Sequence, residues 1–205
     1  MIASISPVPP VVPAGRMSGN AQPVLPLPGG LELRPWHVSD ADAFLAAGRD
    51  PAIRQWNLLA VESPEVARER IGRMHERWAA ETAGIWAIAR PGGGAALGLI
   101  GLTDIDLAGG SGEIIYWLLP AARGAGAAVE ATTRLARWSL DELGLHRLRL
   151  CHSVANPASC RIATKAGFPL EGTMRGALLH ADGWHDQHLH ARVQGDEWPV
   201  PTATP

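Results

Sequence analysis

The chain has 205 residues, 46% of them hydrophobic, enough for one ordinary domain with a sizeable core plus an appendage. Its 18 basic and 20 acidic residues give a formal charge of −2, which offers no field for nucleic acid or an anionic membrane. No apolar run approaches the roughly 20 residues of a membrane helix, Met1 is not followed by a secretory signal pattern, and Cys151 and Cys160 lack the paired spacing of a disulfide framework or zinc ribbon, so the expected setting is a reduced cytoplasm.

Residues 1–30 carry Pro7, Pro9, Pro10, Pro13, Pro23, Pro26 and Pro28 and end in Gly29-Gly30. Proline donates nothing to a ladder and breaks a helix, so this stretch is expected to be a disordered or polyproline-like arm, either a loose tail or a PxxP ligand. The domain proper is expected over 31–195, with 196–205 a flexible tail. Leu31-Glu32-Leu33-Arg34-Pro35 alternates as a short strand. Ser39 is suited to cap a helix, with Asp40 and Asp42 in its first turn and Phe44, Leu45 and Ile53 carrying an apolar face towards Trp56. Ser63-Pro64-Glu65 opens a second helix whose stripe is Val66, Ile71, Met74 and Trp78. Strands are expected over 85–89, 97–105 and 113–118, separated by glycine-rich turns at 91–94 and 109–112. A helix follows from about 124 to 143, stopped by Gly144; then a strand over 146–154 and a helix over 157–166, stopped by Gly167. Residues 178–180 and 187–193 read as a final hairpin turning at Asp182-Gly183. The order implies a mixed α/β domain rather than repeated βαβ units.

The most informative segment is Arg123-Gly124-Ala125-Gly126-Ala127-Ala128, between an apolar strand and a helix. Gly124 and Gly126 let the backbone take unusual dihedrals and approach a ligand closely. Successive N–H groups at a helix N-terminus then face an anion, with Arg123 adding charge and the two alanines leaving room. The segment therefore points to a pyrophosphate site. A mononucleotide P-loop is disfavoured because no lysine follows; Lys165 is the only one in the chain. A dinucleotide fold is disfavoured because the turn comes late and no ribose-binding acid ends the next strand. A plain tight strand–helix turn remains the alternative.

Several segments in order extend the pattern. Arg123 to Ala128 resembles the Q/R-x-x-G-x-G/A acyl-CoA loop of the GNAT superfamily of N-acetyltransferases. Asn156-Pro157-Ala158-Ser159 and Lys165-Ala166-Gly167-Phe168 are similar to the N-x-x-S…K-x-G-F segment of its ribosomal-protein-type (RimJ/RimL-like) branch. Glu113-Ile114-Ile115-Tyr116-Trp117-Leu118-Leu119-Pro120 resembles the strand leading into the loop. Glu171-Gly172-Thr173-Met174-Arg175 and Asp182-Gly183-Trp184-His185-Asp186 resemble the branch's C-terminal end. The resemblance covers about 31–193. Ile115 stands where a glycine often precedes the Tyr-Trp pair, and His188 or His190 replaces an aromatic of the last strand.

The resemblance implies a central, mostly antiparallel twisted sheet flanked by helices and splayed at a coenzyme A cleft. It implies acetyl transfer from acetyl-CoA, as co-substrate, to a primary amine: a protein N-terminus or a small-molecule amine. A non-catalytic acyl-CoA-binding sensor or scaffold is the alternative. Pantetheine would lie in the splay against the backbone of Trp117, Leu118 and Leu119. The diphosphate would meet Arg123, Gly124, Ala125, Gly126, Ala127 and Ala128, and Asn156 a pantetheine amide. A backbone N–H near Leu118 would face the oxyanion. Glu113 is the candidate base, with Asp186 and His185 as rivals, and Ser159 the candidate partner of the leaving thiolate, its plainer role being a helix cap. No metal is expected: His180, His185, His188 and His190 invite one, and His188 and His190 share a strand face, yet no cysteine joins them, and Asp182 and Asp186 suit a turn. Cys160 is read as a packed thiol, and Trp86 and Trp138 as core. Trp56 and Trp184 are candidates to line an acceptor pocket. The expected partners are acetyl-CoA and an amine, with neither nucleic acid nor membrane; a homodimer is compatible with the family.

Overall fold

The run Ile85-Trp86-Ala87-Ile88-Ala89 has no polar residue, so a strand built from it must be covered on both faces. In the computed structural model, which describes residues 8–199, that strand is buried throughout and lies inside an eight-stranded sheet. The strands are β1 (Leu25–Pro26), β2 (Glu32–Pro35), β3 (Gly84–Ala89), β4 (Ala96–Asp106), β5 (Ser111–Leu118), β6 (Arg147–Ser153), β7 (Leu170–His180) and β8 (Gly183–Val193). Their order is β1-β2-β3-β4-β5-β6-β8-β7. Every neighbouring pair is antiparallel except β5 and β6, which run parallel and pair only from Ser111–Arg147 to Glu113–Arg149. Beyond Glu113 the two strands separate, because β5 stays on β4 while β6 stays on β8. The cleft is that separation. No irregularity accompanies Ile115; the register shift lies opposite, in β4 between Thr103 and Asp106.

Three helices cover one face: α1 (Ala41–Arg49), α2 (Pro51–Asn57) and α3 (Pro64–Ala79). The sequence reading joins the first two. Pro51 has no N–H to continue α1, so the chain restarts there, with the Asp50 carboxylate accepting from Ile53 N–H at 2.8 Å. Ser39 does not cap α1; it sits in a one-turn 3₁₀ segment, Val38–Asp40. Asp40 is buried instead in a two-pronged pair with Arg34, at 2.7 and 2.9 Å. Ser63 caps α3, accepting from Val66 N–H. On the other face lie α4 (Ala127–Arg137), continued by a π turn over Trp138–Glu142, and α5 (Pro157–Lys165). The final hairpin is longer than expected, since β7 starts at Leu170, and its turn is Ala181-Asp182. Among the described residues, no helix is long and apolar enough to cross a membrane.

The expectation of a loose arm over 1–30 is corrected for residues 8–30; residues 1–7 lie outside the described residues. Val12, Met17, Leu25 and Leu27 are core residues, and β1 adds an edge strand to β2. Proline removes donors but keeps apolar bulk, and the missing backbone bonds are supplied from elsewhere. The Glu81 carboxylate accepts from the N–H groups of Gly15, Met17 and Ser18. Those bonds, led by that of Gly15, hold it below the usual carboxylate range. Trp78 and Trp86 donate their indole N–H to the carbonyls of Asn20 and Pro23. With Trp138 they form a three-ring cluster, centroids 5.3 to 6.0 Å apart, so Trp86 and Trp138 are core as expected. Of the expected tail, Trp198 is docked, the Arg192 guanidinium lying 3.7 Å over its ring; residues 200–205 lie outside the described residues. Truncating Met17, 1% exposed, to alanine should cost about 2–4 kcal/mol, read as a lower urea midpoint at unchanged slope. A loose arm would give no change.

Candidate active site

The glycine turn before α4 takes the backbone conformation its sequence demands. Gly124 and Gly126 have φ of +87° and +83°, and a Cβ on either would meet nothing within 4 Å. The loop is thus open towards solvent rather than packed shut. Gly126 caps α4, and its carbonyl accepts from Val129 and Glu130 N–H. The N–H groups of Gly124, Ala125, Gly126, Ala127 and Ala128 find no acceptor among the described residues. Unpaired amides of this kind at a helix start form an anion site. Arg123 is committed elsewhere: its Nε donates to Leu118 O at 3.0 Å and its Nη2 to Asp50 at 2.8 Å. It fixes the end of β5 to α2 more than it offers a free charge. Free charge comes from Arg161 and Lys165 of α5, which line the same cavity with no carboxylate within ion-pair distance among the described residues.

That cavity, about 480 Å³, runs from the turn to the splay past Trp56, Tyr116, Leu118, Asn156 and Ser159. The pairing phase of β5 decides which amides face it. Leu119 N–H bonds Leu97 O at 2.9 Å, which makes Leu118–Gly98 a non-hydrogen-bonded pair. The amide of Leu118 therefore points away from β4 into the gap, whereas those of Trp117 and Leu119 point towards β4. Of the three residues named from sequence, only Leu118 presents its main chain to the cleft. The Trp117 ring is core, against Trp36 and Phe44. Asn156 uses its Oδ1 as the α5 cap, accepting from Ser159 N–H at 3.2 Å, so only its NH₂ is left for a ligand.

Ser159, at the first turn of α5, bridges the splay: its Oγ lies 2.6 Å from the Tyr116 hydroxyl. Burial pushes the Tyr116 phenol up to about 12, so it stays a protonated donor. The sequence reading did not single out Tyr116. Its signal was present, since it sits two residues before Leu118 and shares that residue's facing.

A second cavity, about 310 Å³, continues beyond Tyr116, Asn156 and Ser159 between α2, β5, β6 and β7. Trp56 lines both cavities, as proposed from sequence, but Trp184 is 69% exposed and lines neither. Glu113 borders the second cavity with its Oε2 held by Arg149 Nε at 2.6 Å. Asp186 lines neither cavity; it is exposed, and its Oδ1 accepts from Gly176 N–H at the β7 bulge. The structure does not bring it to the cleft.

His180, weighed from sequence only as a metal candidate, lines the second cavity at 7% exposure. Its Nδ1 faces the Gln55 carbonyl at 2.9 Å, an acceptor only, so Nδ1 carries the proton. Its Nε2 is buried without a partner. Beside it His185 Nε2 meets Asp182 at 3.0 Å and its Nδ1 meets Ser153 Oγ at 2.7 Å, a chain that ties the hairpin to β6. His185 is thus satisfied on both nitrogens while His180 has one left over.

The expectation of no metal ligand set rested on there being no cysteine beside His188 and His190. The fold supplies one: α5 carries Cys160 over the sheet to His152, His188 and His190.

The comparisons agree with this geometry. The acetyltransferase (GNAT) domain model matches residues 30–169. The ribosomal-protein-serine acetyltransferase of Escherichia coli is 31% identical over 97 residues, 47% of this chain and 54% of that protein. YdaF of Bacillus subtilis, named for ribosomal N-acetylation, is 30% identical over 105 residues, 51% of this chain and 57% of that protein. The chain thus spans just over half the length of these two relatives. A solved RimL ribosomal L7/L12 α-N-protein acetyltransferase in complex with coenzyme A superposes with TM-score 0.75 at 22% identity, covering 83% of this chain and 98% of that one. A splayed sheet with unpaired amides at the head of the next helix, found where that domain model matches, makes this chain a member of the GNAT acetyltransferase domain family.

Proposed function

We propose that the chain is an N-acetyltransferase carrying acetyl from acetyl-CoA to the α-amine of a protein N-terminus by direct attack in a ternary complex. The observation that carries this is the junction of two cavities at Tyr116, Asn156 and Ser159, with unpaired amides at one end and an unpaired histidine nitrogen at the other. The amides of Gly124 to Ala128 suit the diphosphate, and Arg161 and Lys165 the coenzyme's remaining negative charge. The Asn156 NH₂ suits a pantetheine carbonyl. Leu118 N–H is aimed where the thioester oxygen gains charge.

An α-ammonium titrates near ~8 and must lose a proton to attack. His180 Nε2 accepts it; the amine nitrogen bonds to the thioester carbon, the C–S bond breaks, and the thiolate leaves towards Ser159 and Tyr116, taking up through them the second proton that the new amide nitrogen sheds. With a reference thiol pKa of ~8.5, that leaving group needs little acid help. Glu113, held by Arg149, serves on this reading as a negative wall for the incoming ammonium rather than as the base.

A cavity of about 310 Å³ favours a small first residue, in line with the relatives' names. The test is thiol release from acetyl-CoA with N-terminal Ser, Ala and Thr peptides beside small amines. Turnover on the peptides is expected. Turnover only on small amines overturns the acceptor, and coenzyme A binding without turnover on any of them leaves a non-catalytic acyl-CoA module.

A further inference from the structure

Three histidines and a cysteine converge where α5 crosses β6 and β8; His152 also lines the second cavity, and no step of acetyl transfer uses any of them. His152 on β6 stands directly opposite His188 on β8, His190 follows on the same face of β8, and Cys160 comes down from α5. One donor atom from each lies within 4.8 Å of all the others.

Two of the histidines are oriented as ligands are. His152 Nδ1 lies 2.8 Å from Ser153 O and His190 Nδ1 lies 2.9 Å from Phe168 O. Carbonyls only accept, so both Nδ1 atoms are protonated and each Nε2 holds a lone pair. Both Nε2 atoms are buried without a partner, in side chains 6% and 1% exposed. His188 likewise has a buried, unpartnered Nδ1. An unpaired imidazole nitrogen in the interior is destabilising, and here three stand together beside a thiol. A ring nitrogen fixed by a backbone carbonyl, with the other nitrogen bare, is the outer-shell pattern of metal-binding histidine.

We propose that His152, Cys160, His188 and His190 form a four-ligand site for a zinc-class divalent cation that pins α5 to β6 and β8. Three imidazoles and one thiolate match the preference of such an ion for nitrogen and sulfur. Tetrahedral bonds of ~2.0–2.3 Å put the donors about 3.3–3.8 Å apart, so the cluster has to contract by about 1 Å, within the reach of small side-chain rotations. Four protein ligands leave no open position, so the ion is structural. Its effect on the cleft is indirect: Cys160 follows Ser159, and the same helix carries Asn156. Cys151 takes no part. It points to the opposite face of β6 from His152, and burial pushes its thiol up to about 11.

The test uses the full chain with any affinity tag removed. Purified from zinc-supplemented cells, it should carry close to one zinc per chain by elemental analysis. Cobalt(II) loaded in place of zinc should show tetrahedral visible bands and a near-ultraviolet thiolate charge-transfer band, the latter lost in Cys160→Ser. Alkylation of Cys160, located by peptide mapping, should slow at least tenfold when zinc is added. A thiolate–cobalt band in the wild-type chain needs no variant to fold, and its absence, with less than a tenth of a zinc per chain and unprotected Cys160, overturns the site. A band that survives Cys160→Ser overturns the ligand set. None of these readings depends on acetyl transfer, so they stand apart from the proposed activity.

Discussion

Gly126→Glu should weaken coenzyme A binding by at least 100-fold, measured by calorimetry, while the protein stays folded. Gly126 sits at φ +83°, where a side chain costs roughly 1–2 kcal/mol. That strain alone accounts for no more than about thirtyfold, and Gly126→Ala isolates it. The remainder comes from charge. The new carboxylate stands at the mouth of α4 among five unpaired amides, the place the diphosphate would take. The helix dipole favours a carboxylate there, which offsets part of that strain while the ligand is excluded. No Cβ clash opposes the substitution, since nothing lies within 4 Å. Unchanged affinity in the glutamate variant would mean that the diphosphate is bound elsewhere, and the acyl-CoA assignment of this turn would fall.

His180→Gln should lower kcat/KM by roughly 10²–10⁴-fold, the usual worth of a positioned base, with coenzyme A affinity unchanged. Glutamine keeps a donor for the Gln55 carbonyl, so the packing against Trp56, centroid 5.5 Å away, is disturbed little. Glu113→Gln and Asp186→Asn serve as comparators. The first should raise KM for a cationic acceptor but keep kcat, and the second should change neither. If Glu113→Gln lowers kcat as far as a lost base would while His180→Gln leaves it, the proton goes to β5 and not to the hairpin.

Much of the turn before α4 and of the start of α5 was legible because its determinants are adjacent in sequence. A glycine pair before a helix fixes where amides point, whatever the rest of the chain does, and Asn156 to Ser159 is a cap and first turn whose geometry is equally local. The acceptor end was not legible in this way. His180 becomes a cleft residue through a bond to Gln55, 125 positions away. Asp186 looked equivalent on paper, but a bulge in β7 turns it to Gly176. The arm misled because proline content reports missing donors, and not the side chains of Glu81, Trp78 and Trp86 that replace them.

By itself the sequence determined the order of strands and helices from β2 onwards, save the break between α1 and α2, and the glycine turn before α4, because periodicity, capping and glycine dihedrals act over a few residues. The tertiary structure alone decided which amide of β5 faces the gap, which histidine keeps a bare nitrogen, and that Cys160 meets three histidines. Those depend on the register between strands and on which helix face lies over them. Both are set by burial summed over the whole core, and no short stretch of the chain encodes that sum.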